Sequence, residues 1–302
     1  MVELAVIGGG PAGVTASIYA KRAGVESILI EKLGIGGMLS KIHKIENYPG
    51  FPQGITGFEL AENMRKQLEY FEIEILMDEV IDLVPKGDFY LVKTYEKEIE
   101  AKGVIIATGV SPKKLGLPEE DRFIGRGISF CAVCDGHFYR GKRVVVRGCG
   151  NSGLQEGLYL SELAKEVIFV ASHKFIAGDK LLADRVKKKE NTKFYLGYEI
   201  RELKGKEKLE KVVIEELDTG KKLELDVDGL FVYIGVSPNT TFLRGKVNLD
   251  EKGFIITDDK FETNLENVFA CGDVRSGSVK QVVCACAEGA IAALNATEKI
   301  RK

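Results

Sequence analysis

Two cysteines separated by two residues are the most reactive feature of the chain. They are Cys131 and Cys134, and an acidic residue, Asp135, follows them directly. A C-x-x-C spacing lets two thiols form a disulfide and lowers the thiolate pKa of one of them. The carboxyl group of Asp135 is placed in the chain to donate or accept the proton that thiol exchange requires. The motif therefore predicts reversible dithiol–disulfide chemistry.

Zinc binding and an inert buried pair are the alternatives to redox chemistry for these two cysteines. Zinc would need a second pair of ligands, and the spacing of Cys284 and Cys286 does not suit one. We expect Cys271 and these two residues to be reduced cysteines of the core. Cys149 is expected to be simply a small residue of a turn. Redox chemistry is the favoured interpretation, and no metal site is predicted.

A glycine-rich turn follows the first apolar run of the chain, residues 4–7. It carries the G-x-G-x-x-G pattern at Gly8, Gly10 and Gly13, and a helical stretch comes next. These glycines permit a tight turn, the close approach of a pyrophosphate and the packing of the helix on the strand. A second apolar run ends at Glu31, the distance expected for an acid that binds a ribose. Together the features predict a dinucleotide site.

The same pattern occurs a second time. Another apolar strand leads into a turn with Gly148, Gly150 and Gly153, and a helix and a further strand follow. The two segments also end with similar sequence motifs, at residues 103–112 and residues 229–238. Since the opening and closing motifs recur in the same order, the sequence predicts two homologous nucleotide-binding domains.

In each domain, a charged segment with alternating apolar residues lies between the opening glycine-rich motif and the closing motif. These segments, residues 79–100 and 199–228, predict antiparallel β-meanders that cross over between parallel strands. The chain after the second closing motif is too short for a third domain and is expected to complete the first domain. We therefore predict an α/β fold of two Rossmann-like, three-layer ββα domains with β-meander crossovers. Residues 1–112 plus 245–302 would form the first domain and residues 113–244 the second.

The charge balance and the N-terminus exclude several classes of protein. The 302 residues include 43 Lys and Arg against 45 Asp and Glu, which rules out a broadly basic nucleic-acid binder. The start of the chain has no cationic segment, and no apolar stretch is long enough to span a bilayer. We expect a cytoplasmic protein with no membrane partner, in which cysteines usually serve chemistry or the core.

The chain resembles the low-molecular-weight thioredoxin reductases, a family of flavoprotein disulfide reductases, over essentially its whole length. The specific match is C-x-x-C-D-G at residues 131–136, inside the second nucleotide-binding domain. Related disulfide reductases carry their redox pair in the first domain. Further matches lie at residues 8–13, 45–51, 107–109, 235–240, 272–274 and 289–293.

This resemblance implies a flavoprotein with two dinucleotide-binding domains and FAD in the first. Cys134 would face the flavin, Cys131 would be the interchange thiol that attacks a protein disulfide, and Asp135 would be the acid/base. Asp273 would bind the ribityl chain of FAD. The residues implied to hold FAD are Gly8, Gly10, Pro11, Ala12, Gly13, Glu31, Gly37, Met38, Asn47, Thr108, Gly109, Gly272, Asp273, Lys280, Gln281 and Val282.

The flavin site departs from the family pattern at two positions. Met38 stands where the family usually has glutamine, and Lys280 stands where it usually has arginine near the flavin ring. Either cation at the second position could stabilise a reduced, anionic flavin. We therefore keep both residues among the expected flavin contacts.

The second nucleotide site departs more strongly. The arginines that hold the 2′-phosphate of NADPH in the family are replaced by residues 171–173, Ala-Ser-His, and by Ala177. No acid for an NADH ribose takes their place, and Arg147 ends the preceding strand in place of an aliphatic residue. The residues left to form a nicotinamide site are Gly148, Gly150, Asn151, Ser152, Gly153, His173 and Lys174.

The predicted activity is that of a thioredoxin-disulfide reductase. Electrons would pass from NADPH or NADH through FAD and the Cys131–Cys134 dithiol to thioredoxin or a thioredoxin-like protein. One alternative is a ferredoxin-dependent flavin thioredoxin reductase that does not use NADPH. Another is a non-catalytic, flavin-binding redox sensor, against which the intact motif with Asp135 argues. The resemblance also implies a homodimer.

Overall fold

The computed structural model describes residues 1–301 and contains two compact units. The first unit consists of residues 1–40, 44–111 and 237 onward, and the second of residues 41–43 and 112–236. Residues 237–244, which the sequence predicts to belong to the second domain, therefore lie in the first unit. Within that segment the side chain of Leu243 is fully buried and belongs to the first unit's core.

Seventeen strands and seven helices are found in residues 1–301. The strands are β1 (Val2–Ile7), β2 (Ser27–Glu31), β3 (Glu74–Met77), β4 (Val80–Lys86), β5 (Phe89–Thr94), β6 (Glu98–Ile106), β7 (Val110–Pro112), β8 (Ile128–Ser129), β9 (Arg143–Arg147), β10 (Glu166–Ala171), β11 (Thr192–Leu196), β12 (Tyr198–Lys204), β13 (Lys211–Glu216), β14 (Lys222–Asp226), β15 (Gly229–Val232), β16 (Val236–Pro238) and β17 (Val268–Ala270). The helices are α1 (Pro11–Arg22), α2 (Gly57–Tyr70), α3 (Glu120–Phe123), α4 (Ala132–Asp135), α5 (Asn151–Ser161), α6 (Lys180–Lys187) and α7 (Val282–Ile300).

The first unit is built on a mixed sheet in which β6 has two roles. Its second half pairs in parallel with β1 and β17, so the parallel strands follow the order β3-β2-β1-β6-β17. Its first half pairs antiparallel with β5, which pairs with β4. The central strand β1 is apolar and fully buried over residues 4–6, as expected for a parallel strand covered on both faces.

The second unit repeats this parallel order as β11-β10-β9-β15-β8. Its crossover strands β12, β13 and β14 form a separate antiparallel sheet. Alternate residues of β9 enter different cores: Val144 and Val146 pack with residues of α5, whereas Val145 packs with residues of the antiparallel sheet. Helices, parallel sheet and antiparallel sheet therefore form three layers. The predicted α/β fold class is confirmed.

The C-terminal segment completes the first unit through close backbone packing. Strand β17 joins the sheet beside β6, and α7 packs against α1. A Cβ atom at Gly289 would lie 2.2 Å from the carbonyl oxygen of Ala12, so only glycine allows the two helices to approach so closely. Within residues 1–301, none of the helices combines the length and apolar character that a membrane span requires.

Candidate active site

The first glycine turn contains glycines with two different purposes. A Cβ at Gly8 would lie 2.4 Å from the Ala107 carbonyl oxygen, and one at Gly13 would lie 1.8 Å from the Gly8 carbonyl oxygen. The folded chain itself therefore requires both residues. Gly10 has an ordinary φ of −74°, and a Cβ there would meet no atom within 4 Å. The space beside Gly10, at the start of α1, thus suits a ligand such as a pyrophosphate.

Glu31 lies beside this turn and is buried. Its Oε2 accepts the backbone N–H of Gly9 at 2.6 Å, and its Oε1 accepts those of Leu33 at 2.8 Å and Gly34 at 3.3 Å. A carboxylate offers about four acceptor positions, so one remains for a ribose hydroxyl. Glu31 can therefore shape the site and bind the ligand at the same time.

Replacing Glu31 by alanine should lower the free energy of unfolding by about 2–4 kcal/mol and lower the flavin content of the purified protein. The variant leaves three backbone N–H groups without their acceptor. Urea unfolding followed by circular dichroism measures the stability. Glu3→Ala is the matched control, since Glu3 accepts one exposed N–H, that of Glu26. Equal stability losses in the two variants would contradict this role of Glu31.

The turn after β17 brings Asp273 to the same end of the sheet. Glu288 of α7 fixes this turn by accepting the Gly272 N–H at 2.8 Å and pairing with Arg275 at 2.7 Å. A Cβ at Gly272 would lie 2.8 Å from the Cβ of Ala12 in α1. The Asp273 carboxyl makes no hydrogen bond within the described residues, and burial raises its pKa. An unpartnered acid of this kind is free to bind the hydroxyl groups of a ligand.

Two further segments meet near the first glycine turn. The N–H of Gly36 donates to the Gly9 carbonyl at 2.8 Å, which places Gly37 against Gly10, and Met38 follows half-buried. Pro11 and Ala12 open α1 directly after the turn. Gly37, Pro11 and Ala12 therefore lie close to Gly10, and Met38 follows Gly37 in the chain.

The remaining flavin candidates form local pairs within the first unit. Asn47 donates to Gln281 at 2.8 Å, just before Val282 begins α7. The ammonium of Lys280 lies 4.4 Å from the centre of the Phe254 ring. Thr108 and Gly109 are held by Asn239 through a pair of hydrogen bonds to the former and one to the latter.

The redox motif lies in the second unit, where a disulfide joins Cys131 and Cys134. Cys131 precedes α4, and its sulfur accepts the N–H of Cys134 at 3.1 Å. Cys131 is 8% exposed, whereas Cys134 is exposed. The hydroxyl of Ser129 donates to Oδ2 of Asp135 at 2.6 Å, so the acid is held within the motif. Cys131 follows β8 in the position that Cys271 has after β17.

The second glycine turn has the same arrangement as the first, with two glycines in close backbone contacts and one beside open space. A Cβ at Gly148 would lie 2.1 Å from the Tyr233 carbonyl oxygen, and one at Gly153 would lie 2.2 Å from the Gly148 carbonyl oxygen. Gly150 has an ordinary φ of −81° and open space beside it. The chain therefore needs two of these glycines for its own fold, and the third leaves room for a phosphate-bearing ligand.

The surroundings of this second turn offer little for an adenosine ribose or its phosphate. Ala171 ends β10 in the position that Glu31 has at the end of β2. Lys174 is already paired with Asp218 at 2.5 Å, and the ring of His173 lies beside that of Phe175. At the start of α5, Asn151 Oδ1 accepts the N–H of Asp179 at 2.6 Å, and Ser152 is exposed. No arginine fork of the kind that binds a 2′-phosphate is formed by these residues.

Comparison with known proteins decides the family. A model of the pyridine nucleotide-disulphide oxidoreductase family matches residues 2–289. A thioredoxin reductase of Peptoclostridium acidaminophilum is 38% identical over 304 residues, which cover 99% of this chain and 96% of the relative. The chain belongs to the thioredoxin reductase family. The resemblance predicted from the sequence and the oxidoreductase class are confirmed.

Solved structures of thioredoxin reductases extend the likeness. The crystal structure of the Lactococcus lactis enzyme has a TM-score of 0.97 and 35% identity and covers 100% of this chain and 99% of that one. A ferredoxin-flavin thioredoxin reductase of Clostridium acetobutylicum has a TM-score of 0.55 and 31% identity, with 99% and 98% coverage. Both types of relative span the full length of this thioredoxin reductase family member.

Arg147 is the clearest departure from the family pattern that the structure explains. Its guanidinium, buried at the end of β9, forms hydrogen bonds of 2.7–3.0 Å to both carboxylate oxygens of Glu199. The residue therefore joins the parallel sheet to the antiparallel sheet at β12. A buried, paired arginine of this kind is not available to bind a phosphate.

Three buried polar side chains with a structural role were not predicted from the sequence: Glu288, Glu156 and Ser129. Glu288 is the one acid in the apolar first four turns of α7, and Glu156 is the one acid in α5. An isolated acid in an otherwise apolar helix was the signal that could have found them. Ser129 gave no signal, because its contact with Asp135 depends on the turn between them. Among residues 1–301, no group of three or more metal-ligating side chains is present.

Replacing Glu156 by glutamine should stabilise the protein at alkaline pH. Burial raises the pKa of Glu156 to about 8, although a backbone N–H from His43 opposes the shift, and Oε2 has no partner within the described residues. In the unfolded chain the same carboxyl ionises near 4.5. As the pH rises from about 4.5 to 8, the unfolded state loses this proton first, so the folded protein loses stability.

We expect Glu156→Gln to unfold at a free energy about 2–4 kcal/mol above wild type at pH 8.5, and at an equal one near pH 4.5. Urea unfolding at the two pH values provides the measurement. Glu162→Gln, at the exposed end of the same helix, should show no such difference. A Glu156→Gln variant that is less stable than wild type at pH 8.5 would refute the expectation.

Proposed function

We propose that this protein reduces the disulfide of thioredoxin or a thioredoxin-like protein, using FAD and the Cys131–Cys134 pair. The observation that carries the proposal is the disulfide at the start of α4, with Cys134 exposed and Asp135 held beside it. Exposed disulfides are typically the labile, regulatory or catalytic ones, whereas structural disulfides resist reduction. The four other cysteines are free, which suits the reducing environment of the cytoplasm.

The first unit fits FAD. The space beside Gly10 suits the pyrophosphate, Glu31 keeps an acceptor for the ribose, and the unpartnered Asp273 suits the hydroxyls of the ribityl chain. When bound, FAD would supply two-electron transfer between the electron donor and the disulfide. The charge of Lys280 opposes the rise that burial causes in the pKa of Asp273. The same charge would make the flavin site more positive.

The geometry of the disulfide favours different roles for the two cysteines. Reduction would enter at the exposed Cys134 and expel the Cys131 sulfur as a thiolate. That thiolate would be stabilised by the Cys134 N–H, which already points to it at 3.1 Å. Cys131 would then be the attacking thiol of the next half-reaction.

Cys131, Cys134 and Asp135 supply all the groups that the thiol–disulfide exchange needs. The reduced protein holds a Cys131 thiolate and a Cys134 thiol. The thiolate attacks the substrate disulfide and forms a mixed disulfide, and the first substrate sulfur leaves as a thiolate. The Asp135 carboxylate then removes the proton of Cys134, whose sulfur attacks Cys131. The internal disulfide re-forms, and the second substrate sulfur leaves with that proton.

An exposed aromatic residue supports a protein substrate. Phe138 lies four residues after Cys134 and is 72% exposed. We expect Phe138→Ala to raise the KM for thioredoxin about tenfold, since a large aromatic anchor contributes strongly to protein recognition. The rate with a small aryl disulfide should not change. Phe58→Ala, at an equally exposed phenylalanine of the first unit, is the control, and equal KM values for the two variants would argue against docking at Phe138.

The electron donor is proposed to be a nicotinamide dinucleotide bound without strong selection for its phosphate. The open space beside Gly150 supports a pyrophosphate, because the chain itself does not need glycine there. The 2′-phosphate of NADPH would find no arginine among residues 171–177, and Lys174 is engaged with Asp218. NADPH and NADH should therefore reduce the flavin with similar, low efficiency.

Ferredoxin is the second candidate donor. It is favoured by the loss of phosphate-binding residues and by the likeness to the ferredoxin-flavin enzyme of Clostridium acetobutylicum. Rapid-mixing reduction of the flavin by NADPH, NADH and reduced ferredoxin in turn separates the donors. The proposed activity itself fails if the fully reduced protein, purified with its flavin as the expected homodimer, does not reduce thioredoxin.

A further inference from the structure

Ser129 connects the acid of the redox motif to the backbone of the attacking cysteine. Its hydroxyl donates to Oδ2 of Asp135 at 2.6 Å and accepts the N–H of Cys131 at 3.0 Å. The carbonyl oxygen of Cys131 lies 3.2 Å from the same hydroxyl, as a second acceptor. Ser129 is 4% exposed and ends β8, where it pairs with Phe231 of the parallel sheet. Its position is thus set by the sheet rather than by the motif.

We propose that Ser129 is a positioning residue, which holds the Asp135 carboxylate where it can transfer protons during thiol–disulfide exchange. The inference rests on the proposed function, since it assigns Asp135 the proton transfers described above. Within residues 1–301, Ser129 is the one side chain that forms a hydrogen bond with the carboxylate, and no cation is paired with it. The orientation of Asp135 therefore depends on a single hydroxyl.

The hydrogen of that hydroxyl can follow the charge of the acid. A serine has one hydrogen to donate, and two acceptors lie within reach here. The ionised Asp135 attracts it in a charge-assisted hydrogen bond. When Asp135 is protonated, the hydroxyl can turn to the Cys131 carbonyl and leave the acid free to give up its proton. Ser129 thus supports both states that the exchange cycle requires.

A double-mutant cycle tests this role. Holoenzyme is reduced with dithiothreitol, freed of it, and mixed rapidly with the aryl disulfide 5,5′-dithiobis(2-nitrobenzoate), so that neither thioredoxin nor the electron donor enters the assay. Ser129→Ala should slow re-formation of the Cys131–Cys134 disulfide about tenfold. Asp135→Asn should slow it at least as much, and the double variant should be no slower than Asp135→Asn alone. Ser129→Thr, which keeps the hydroxyl, should restore most of the rate.

The control removes another buried hydroxyl from the same unit. Ser161→Ala, whose hydroxyl donates to the Leu158 carbonyl at 2.6 Å, should leave the rate unchanged. Equal flavin content and circular dichroism show that each variant folds. If the effects of Ser129→Ala and Asp135→Asn multiply, or threonine does not rescue, Ser129 acts only on the structure and the inference is overturned. Failure of the wild type to reduce thioredoxin would instead count against the proposed function, because this assay contains none.

Discussion

Cys134→Ser and Cys131→Ser should each lower the turnover of thioredoxin reduction by at least about a thousandfold, and they should differ in what they trap. Either change removes one of the two sulfurs that carry the electron pair. With Cys134 replaced, a Cys131 thiolate can still attack the substrate, but no second thiol resolves the mixed disulfide. Cys134→Ser should therefore accumulate a covalent complex with thioredoxin.

Non-reducing gel electrophoresis of the chemically reduced variants, mixed with oxidised thioredoxin, measures this complex. Cys131→Ser should give little of it, since its remaining thiol is assigned to internal exchange. Cys149→Ser is the matched control: burial raises the pKa of that thiol to about 11, and the variant should keep full turnover. Trapping through Cys134 in place of Cys131 would reverse the proposed roles.

Gly150→Val should abolish nicotinamide-driven reduction of the flavin, with a loss of at least about a hundredfold, while the protein keeps its fold and its flavin. The backbone at Gly150 has ordinary dihedral angles and open space, so the folded chain accepts a side chain there. That side chain would occupy the space of a pyrophosphate and block the N–H groups at the start of α5. Losing two or more charge-assisted contacts of roughly 1.5–3 kcal/mol each gives the expected factor.

Gly10→Val is the matched variant, because it makes the same change in the first unit. It should fold without flavin, whereas Gly150→Val should retain it. Reduction of Gly150→Val by dithionite, followed by normal reduction of thioredoxin, shows that the redox motif is intact. If NADPH or NADH reduces Gly150→Val as fast as wild type, the second unit does not bind the donor. If neither nucleotide reduces wild type and ferredoxin does, the second glycine turn remains without its ligand.

The sequence predicted the fold well because its two glycine turns are tied to local constraints. Gly8 and Gly148 each have a positive φ and a carbonyl oxygen close to the Cα, so only glycine fits at these positions. The glycine motif in the sequence therefore indicates the turn itself. The antiparallel crossovers were equally predictable, since alternating exposure is a property of each strand by itself.

The candidate site was predicted less completely, because its details depend on contacts between distant residues. Ser129 and Asp135 are brought together by a turn, and the pair of Lys174 and Asp218 joins a loop to a hairpin. No spacing rule connects such positions. The second unit ends at residue 236 and the predicted second domain at residue 244 for a similar reason, because the burial of Leu243 in the first unit's core depends on packing between distant residues.

The division of the first unit between the two ends of the chain has a consequence for protein synthesis. Residues 112–236 leave the ribosome as one uninterrupted segment and can fold while translation continues. The first unit cannot, since α1 lacks its packing partner until α7 has been made, and the turn that carries Asp273 belongs to the same late segment. A nascent chain should therefore hold a folded redox motif before it can retain flavin. An mRNA truncated near its 3′ end would yield a colourless protein in which the redox motif is already folded.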